Sequence, residues 1–376
     1  MPWKAAVVPQ LRAEFVRSVR SLHLPVAEAC RRFGISRQTG YVWLRRFDRA
    51  PDTELADRSR RPRRSPARTA TDVEAAVLKA RERYRWGARK IHALLLRRGV
   101  PVPSVRTVHS ILERHGRVAS PPATDATPLR FERSRPNELW QVDHLVDLEI
   151  ARRRHDQLTV LDDHSRFLVG MPLVPDRTML TAFDALWTLF GEFGLPDAIL
   201  TDNAFRSVHA VPRTLSWFDA RLIRLGIRPL HGRPYHPQTQ GKVERLHRTI
   251  TEEFFPFARR DTRAHFDDDS RRWRTTYNAV RPHEALADRP PLARWNPSPR
   301  PRPGALPEVS YPKGSVLRRV SARGLIGWRY ARILAGYGLA GEIVRVDDQG
   351  HLINVYYADT LARSVPTELI RPDAIL

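Results

Sequence analysis

Glu244 stands in a stretch, Leu230 to Glu252 (LHGRPYHPQTQGKVERLHRTITE), that reads as a helix with a polar face. Pro237 can open such a helix, because the N–H that proline lacks would have no partner in the first turn, and no breaker except Gly241 follows before Pro256. At helical spacing Glu244 shares a face with Arg248, four residues on, and Gly241, three residues back. An acid therefore projects beside a basic side chain and a small residue, where backbone and ligand can approach closely. Two more acids sit on strand-like runs: WQVDH places Asp143 after a polar stretch, and AILTDNA places Asp202 at the end of a short apolar run.

The phrase YHPQTQGKVERLHRT resembles the third-acid motif of DDE transposases and retroviral-type integrases, in particular bacterial insertion-sequence transposases. The resemblance implies that Asp143, Asp202 and Glu244 are both the catalytic residues and the metal ligands. Three oxygen ligands suit a hard cation such as Mg²⁺, which keeps its other positions for water and phosphate; Mn²⁺ can substitute. Two ions about 3.5 to 4 Å apart would activate the attacking oxygen and stabilise the leaving one in an in-line displacement. The nucleophile would be water in the first cleavage and a DNA 3′-hydroxyl in strand transfer. The chain departs from the family pattern in two places. The 41 residues between Asp202 and Glu244 exceed the usual spacing, with the surplus assigned to FRSVHAVPRTLSW, and Asn203-Ala204 stands where Asn-Gly is common.

The elements that must position these acids follow a regular order. From residue 137 onward the pattern is three strands, helix, strand, helix, strand, helix, the order of an α/β ribonuclease H-like core assigned to 137–296. Asp162 and Asp163 in LDDHSR read as turn residues and partners of Arg166; Glu252 and Glu253 read as the solvated side of the Glu244 helix. His144, His236 and His247 flank the acids and are expected to hydrogen-bond or contact phosphate, since oxygen-only coordination is what Mg²⁺ prefers. Lys242, Arg245 and Arg248 surround Glu244 and are candidates for holding the DNA end, while Tyr277, Asn278, Arg281, Pro282 and His283 are expected to close the core behind the site.

Upstream, residues 1–56 read as a helix-turn-helix: Pro25 suits a first turn, Gly34 a left-handed stop and Ser36 an N-cap. Arg37, Gln38, Tyr41 and Arg45 would then face the major groove. Residues 57–70 form an Arg-rich linker carrying Arg60, Arg61, Arg63 and Arg64, a composition that cannot build a core. Residues 71–117 repeat the helix-turn-helix form. There Arg106, Thr107 and His109 point outward and Val105, Val108 and Leu112 inward. A Pro- and Ser-rich boundary covers 118–136 and a plain linker 297–310. The remainder, 311–376, shows short strands and a DDQG hairpin turn, which predict a small all-β barrel of about five strands, with Arg318, Arg319 and Arg323 available to phosphates.

The balance of 64 basic to 41 acidic residues, a net +23, points to phosphate backbones, although only 5 of the 64 are Lys. A single cysteine, Cys30, excludes an internal disulfide and a Cys-based zinc finger. No signal-length or membrane-spanning apolar run is present. The expectation is a cytoplasmic, nucleoid-associated DNA transposase. It would bind the terminal inverted repeats of an insertion sequence, cut 3′ ends and join them to target DNA, as a homo-oligomer on paired double-stranded ends. The alternatives are a catalytically inactive DNA-binding protein or repressor, and a metal-dependent nuclease without strand transfer.

Overall fold

The computed structural model describes residues 8–49, 55, 57, 69–118, 132–202, 214–232 and 241–370. The chain divides into two compact units, Met1–Arg68 and Thr69–Leu376. The first holds three helices, α1 (Val8–Arg20), α2 (Val26–Arg32) and α3 (Arg37–Arg49). Their boundaries are set by local chemistry. Gly34 takes φ +62 after α2, and Ser36 Oγ accepts from the Thr39 amide at 3.1 Å to cap α3. Phe15, Cys30, Ile35, Trp43 and Leu44 close the core. Gly40 allows α3 to approach it: a Cβ there would lie 2.6 Å from Cys30 Sγ and 2.9 Å from Phe15 Cζ.

The second unit opens with α4 (Thr71–Tyr84), α5 (Ala88–Arg97) and α6 (Val105–Arg114). Ser104 caps α6 by accepting from the Thr107 amide at 3.3 Å. Val77, Trp86, Ile91, Leu94, Val108, Ile111 and Leu112 fill the bundle. Val105 does not face inward as expected: it is 39% exposed, because as the first residue of α6 it lies at the end of the apolar face, and Ile111 takes the inward place instead.

A mixed sheet follows. Its strands are β1 (Trp140–Ile150), β2 (Arg153–Asp162), β3 (Leu168–Gly170), β4 (Leu173–Val174), β5 (Ala198–Thr201) and β6 (Arg228–His231). Four helices interleave or follow: α7 (Met179–Phe193), α8 (Trp217–Arg224), α9 (Gly241–Glu253) and α10 (Arg263–Ala279). The strand order is β3-β2-β1-β5-β6, with β4 paired to β2. The first strands are antiparallel, and β5 and β6 add in parallel to β1. This is the element order expected from the sequence, with β4 added.

The two faces of the sheet carry separate cores. Val142, Leu158 and Val160 pack under α7 and α8 through Phe183, Leu186, Phe190, Phe218 and Leu222. Leu148, Ile150, Leu161 and Leu168 pack under α9 and α10 through Val243, Leu246, Ile250, Phe266 and Tyr277. Since strand residues alternate between faces, Asp143 and its partner Thr159 belong to the α9 side. Asn278 pins α10 to the sheet, its side chain donating to the Leu168 carbonyl at 3.0 Å and accepting from the Leu168 amide at 2.8 Å.

The Pro-rich stretch at 297–310, expected as a plain linker, lies against this core. Ser298 N donates to Phe193 O at 2.8 Å, and Arg300 donates to the Leu225 carbonyl at 2.8 Å. Beyond it, the expected barrel is replaced by two open antiparallel sheets. One has the order β12 (Thr360–Pro366), β11 (Leu352–Tyr357), β10 (Ile343–Asp348), β7 (Val316–Arg319); the other is the hairpin β8 (Leu325–Trp328) and β9 (Ala331–Leu334). Gly324, at φ +76, turns the chain out of the first sheet before β8 begins, so among the described residues no ladder joins the sheets into a closed cylinder. They still share an apolar core, Val320, Ile326, Ile333, Val344, Val355 and Tyr357, to which Ala220 of α8 contributes. The DDQG turn is present, with Gly350 at φ +81. Among the described residues no helix is long and apolar enough to cross a membrane.

Candidate active site

β1 and β5 run parallel with Trp140 beside Ile199 and Gln141 beside Leu200. β5 ends at Thr201, so Asp202 directly follows the strand paired to β1, in the direction in which β1 runs on to Asp143. Glu244 comes from the first turn of α9. Its neighbours Val243 and Leu246 are buried against the sheet, which fixes the rotation of the helix and leaves Glu244 exposed.

Asp143 is held on several sides. Its Oδ1 accepts from the His144 amide at 2.8 Å, and Oδ2 lies 4.0 Å from His247 Nδ1. Thr159 Oγ1 donates to the Asp143 carbonyl at 3.0 Å and lies 2.8 Å from His247 Nε2. A hydroxyl has one proton to give, so with Thr159 donating to the carbonyl, His247 donates from Nε2 and turns an unprotonated Nδ1 toward Asp143. Burial, with the nearby His144, pushes the His247 imidazole down to about 4, which keeps it neutral at neutral pH.

Burial pushes the Asp143 carboxyl up to about 6, against the His144 amide, and the negative charges of Asp202 and Glu244 add to the rise. The charges of Asp202, at a strand end, and Glu244, on a helix, are thus felt at Asp143 on its strand. Among the described residues, no three acid, imidazole or thiol side chains converge closely enough to cage an ion unaided. Carboxylate oxygens are the donor type that a hard divalent cation takes, and Asp143 is the one of the three acids that is largely buried.

The other predicted residues divide. Arg245 and Arg248 are exposed beside Glu244; Arg37, Gln38, Tyr41 and Arg45 are exposed on α3, and Arg106 is exposed on α6. Lys242 pairs with Asp163. Its Nζ lies 2.6 Å from Asp163 Oδ1 and 3.2 Å from the Asp163 carbonyl. Asp162 serves as a turn residue, its Oδ1 accepting from Ser165 N at 2.8 Å and Ser165 Oγ at 2.6 Å. Arg166, however, donates to Glu132 at 3.0 Å, because Asp162 and Asp163 are fully buried and already take donors from the chain. Arg60, Arg61, Arg63, Arg64, Asn203, Ala204 and His236 lie outside the described residues.

Glu253 is the residue that sequence reasoning placed wrongly. Instead of facing solvent it is 9% exposed and bound to Lys90 and Arg281. A signal existed: an acid in the last turn of a helix opposes the helix dipole, so such a residue calls for a buried cationic partner.

Two models of the integrase core domain match residues 133–237 and 225–291, which together contain Asp143, Asp202 and Glu244. These matches give residues 133–291 an integrase core domain. Ahead of this integrase core, a helix-turn-helix domain model matches residues 11–63 and a homeodomain-like model residues 39–112. The chain is similar to the transposase for transposon Tn552 of Staphylococcus aureus, 31% identical over 138 residues. That match spans 33% of this chain and 28% of the relative. It is also similar to the uncharacterized 39.2 kDa protein of insertion element IS476 from Xanthomonas euvesicatoria, 26% identical over 76% of this chain and 77% of that one. The uncharacterized 31.7 kDa protein of insertion element IS407 from Burkholderia multivorans is 28% identical over 69% of this chain and 86% of that one. Of the acids that the resemblance implies, Asp143 lies on β1 and Asp202 directly after β5, both within the first match, and Glu244 lies on α9 within the second.

Proposed function

We propose that this protein is a DNA transposase of the DDE type, which binds the terminal inverted repeats of an insertion sequence, cleaves 3′ ends and transfers them to target DNA. The observation that carries the reading is the placement of Asp143 on β1, Asp202 directly after β5 and Glu244 on α9 within the residues that match the integrase core models. Asp143, Asp202 and Glu244 would hold a divalent cation pair, Mg²⁺ or Mn²⁺, which would supply Lewis-acid activation of an in-line phosphoryl displacement. The chain's own residues do the rest. Thr159, His247 and the His144 amide hold Asp143 in place. Arg245 and Arg248, exposed around Glu244, present cations to the phosphates of the DNA end. Arg37, Gln38, Tyr41 and Arg45 on α3 and Arg106 on α6 offer the polar and cationic types that read groove edges and backbone. Because two ends must be joined together, the active form is a homo-oligomer on paired double-stranded DNA.

The test is a strand-transfer assay with labelled DNA carrying the element ends and a plasmid target, in Mg²⁺ or EDTA, beside Asp202→Asn. Joined products that require both metal and Asp202 are expected. Tight binding without cleavage in any divalent ion would replace this reading with an inactive DNA-binding protein, and cleavage without joining would replace it with a nuclease.

A further inference from the structure

α9 carries Glu244 in its first turn and Glu253 at its last residue. The Glu253 carboxylate has four donors. Oε1 accepts from Lys90 Nζ and Arg281 Nη2, each at 2.8 Å; Oε2 accepts from Arg281 Nε and Trp86 Nε1, each at 2.8 Å. Lys90 belongs to α5 and Trp86 to the turn before it, so two of the four donors come from the α4–α6 bundle. Two more side chains of α5 hold the segment after α10. Arg89 donates to Glu284 at 2.6 Å and to Asp288 at 3.2 Å, and Arg97 donates to the Val280 carbonyl at 2.5 Å. Val280 itself packs on the bundle's apolar core.

The bundle that presents α6 is thus clamped to the far end of the helix that presents Glu244. An ion cluster is a poor source of net stability, since isosteric apolar packing often does as well. It does impose direction: four donors converging on two oxygens allow one register of α5 against α9, where apolar contacts would tolerate sliding.

We propose that Glu253 is a positioning residue that fixes the spacing between α6 and Glu244, and thereby sets which phosphodiester bond of a bound DNA end is cut. This rests on the transposase reading above. On it, α6 binds the end at a chosen sequence, α9 carries one acid of the active site, and the Glu253 cluster is the ruler between them. Loosening the cluster leaves DNA binding in place, because Arg106 and its neighbours on α6 are untouched. It lets the active site reach adjacent bonds, at a reduced rate.

The test maps cut positions at nucleotide resolution on an end-labelled DNA, with the full chain and Mn²⁺, for wild type, Glu253→Gln and Lys90→Met. Lys90→Met guards against misfolding, since Glu253 keeps Arg281 and no buried charge is stranded. Binding of the same DNA is measured by gel shift. The expected result is unchanged end binding, with cuts spread over neighbouring bonds in both variants and cleavage slowed by roughly 10- to 100-fold in Glu253→Gln, as a small misplacement of reacting groups entails. A lower yield at an unmoved cut site in both variants overturns the inference and leaves the transposase reading intact. Failure of the wild type to cut with any divalent ion overturns that reading, and the inference with it.

Discussion

Lys242 reaches from α9 to Asp163, its Nζ 2.6 Å from a carboxylate that has no solvent exposure. The same Oδ1 accepts from Gln141 Nε2 at 2.7 Å. Gln141 and Lys242 each stand two residues before an acid of the site, Asp143 and Glu244. One buried carboxylate therefore ties the strand of one acid to the helix of another. Asp163→Ala takes the carboxylate away from a largely buried ammonium and from the Gln141 amide, and is expected to destabilise the Thr69–Leu376 unit by about 3–5 kcal/mol. Urea denaturation measures this. A loss below about 1 kcal/mol, the range of exposed ion pairs, would mean that the bridge does not form in solution.

Asp143 carries a stability cost that its own replacement should remove. Its carboxyl is raised from 3.8 to about 6, so the folded state holds the proton more tightly than the unfolded chain. The penalty is absent below pH 3.8, grows as pH rises through the interval, and is complete above about 6. At about 1.4 kcal/mol per unit, Asp143→Asn is expected to stabilise the metal-free protein by up to about 3 kcal/mol at pH 7, with the gain fading toward pH 4. Thermal melts in EDTA across that range check it; a variant less stable than wild type at pH 7 would show that burial and the acidic neighbours do not destabilise the Asp143 carboxylate.

Glu244→Gln keeps the shape of α9 but removes one of the three carboxylates. Since Glu244 is exposed and the helices proposed to read DNA are elsewhere, end binding is expected to stay within about threefold of wild type, well under the tenfold that 1.4 kcal/mol represents. Cleavage and joining should be lost. Gel shift and strand-transfer assays on the same preparation decide the matter, and substantial cleavage by Glu244→Gln would remove Glu244 from the reaction.

Much of this architecture is legible in the residues because local signals coincide. Gly34, Ser36 and the run AILT each mark an element edge through backbone preference or capping, and the structure places edges there. The alternation of β1 assigns Asp143 to one face, and Asp202 directly follows β5. What the sequence hides is pairing across long separations. Glu253 looks solvated on its own helix because its partners, Lys90 and Arg281, are 163 and 28 residues away. Lys242 looks like a DNA contact until Asp163, 79 residues back, is seen to take it. The barrel failed for a related reason: strand content is local, but closure depends on which edges meet, and Gly324 directs the chain elsewhere.

The Gly40 site turns on two effects of opposite sign. Gly40 lies inside α3, where alanine is favoured over glycine by about 1 kcal/mol on helix propensity. A Cβ would however lie 2.6 Å from Cys30 Sγ and 2.9 Å from Phe15 Cζ, and overpacking a filled core costs about 1–3 kcal/mol. Gly40→Ala is therefore expected to lower the melting temperature of the Met1–Arg68 unit. Cys30→Ala opens the space that the new methyl needs, so in the double variant the propensity gain should reappear and the two substitutions should couple favourably by about 1 kcal/mol or more. Calorimetry of the four proteins closes the cycle. Additive effects would show that α3 does not pack on α2 as closely as Gly40 permits, and with that the exposure of Arg37, Gln38 and Tyr41 toward DNA would lose its structural basis.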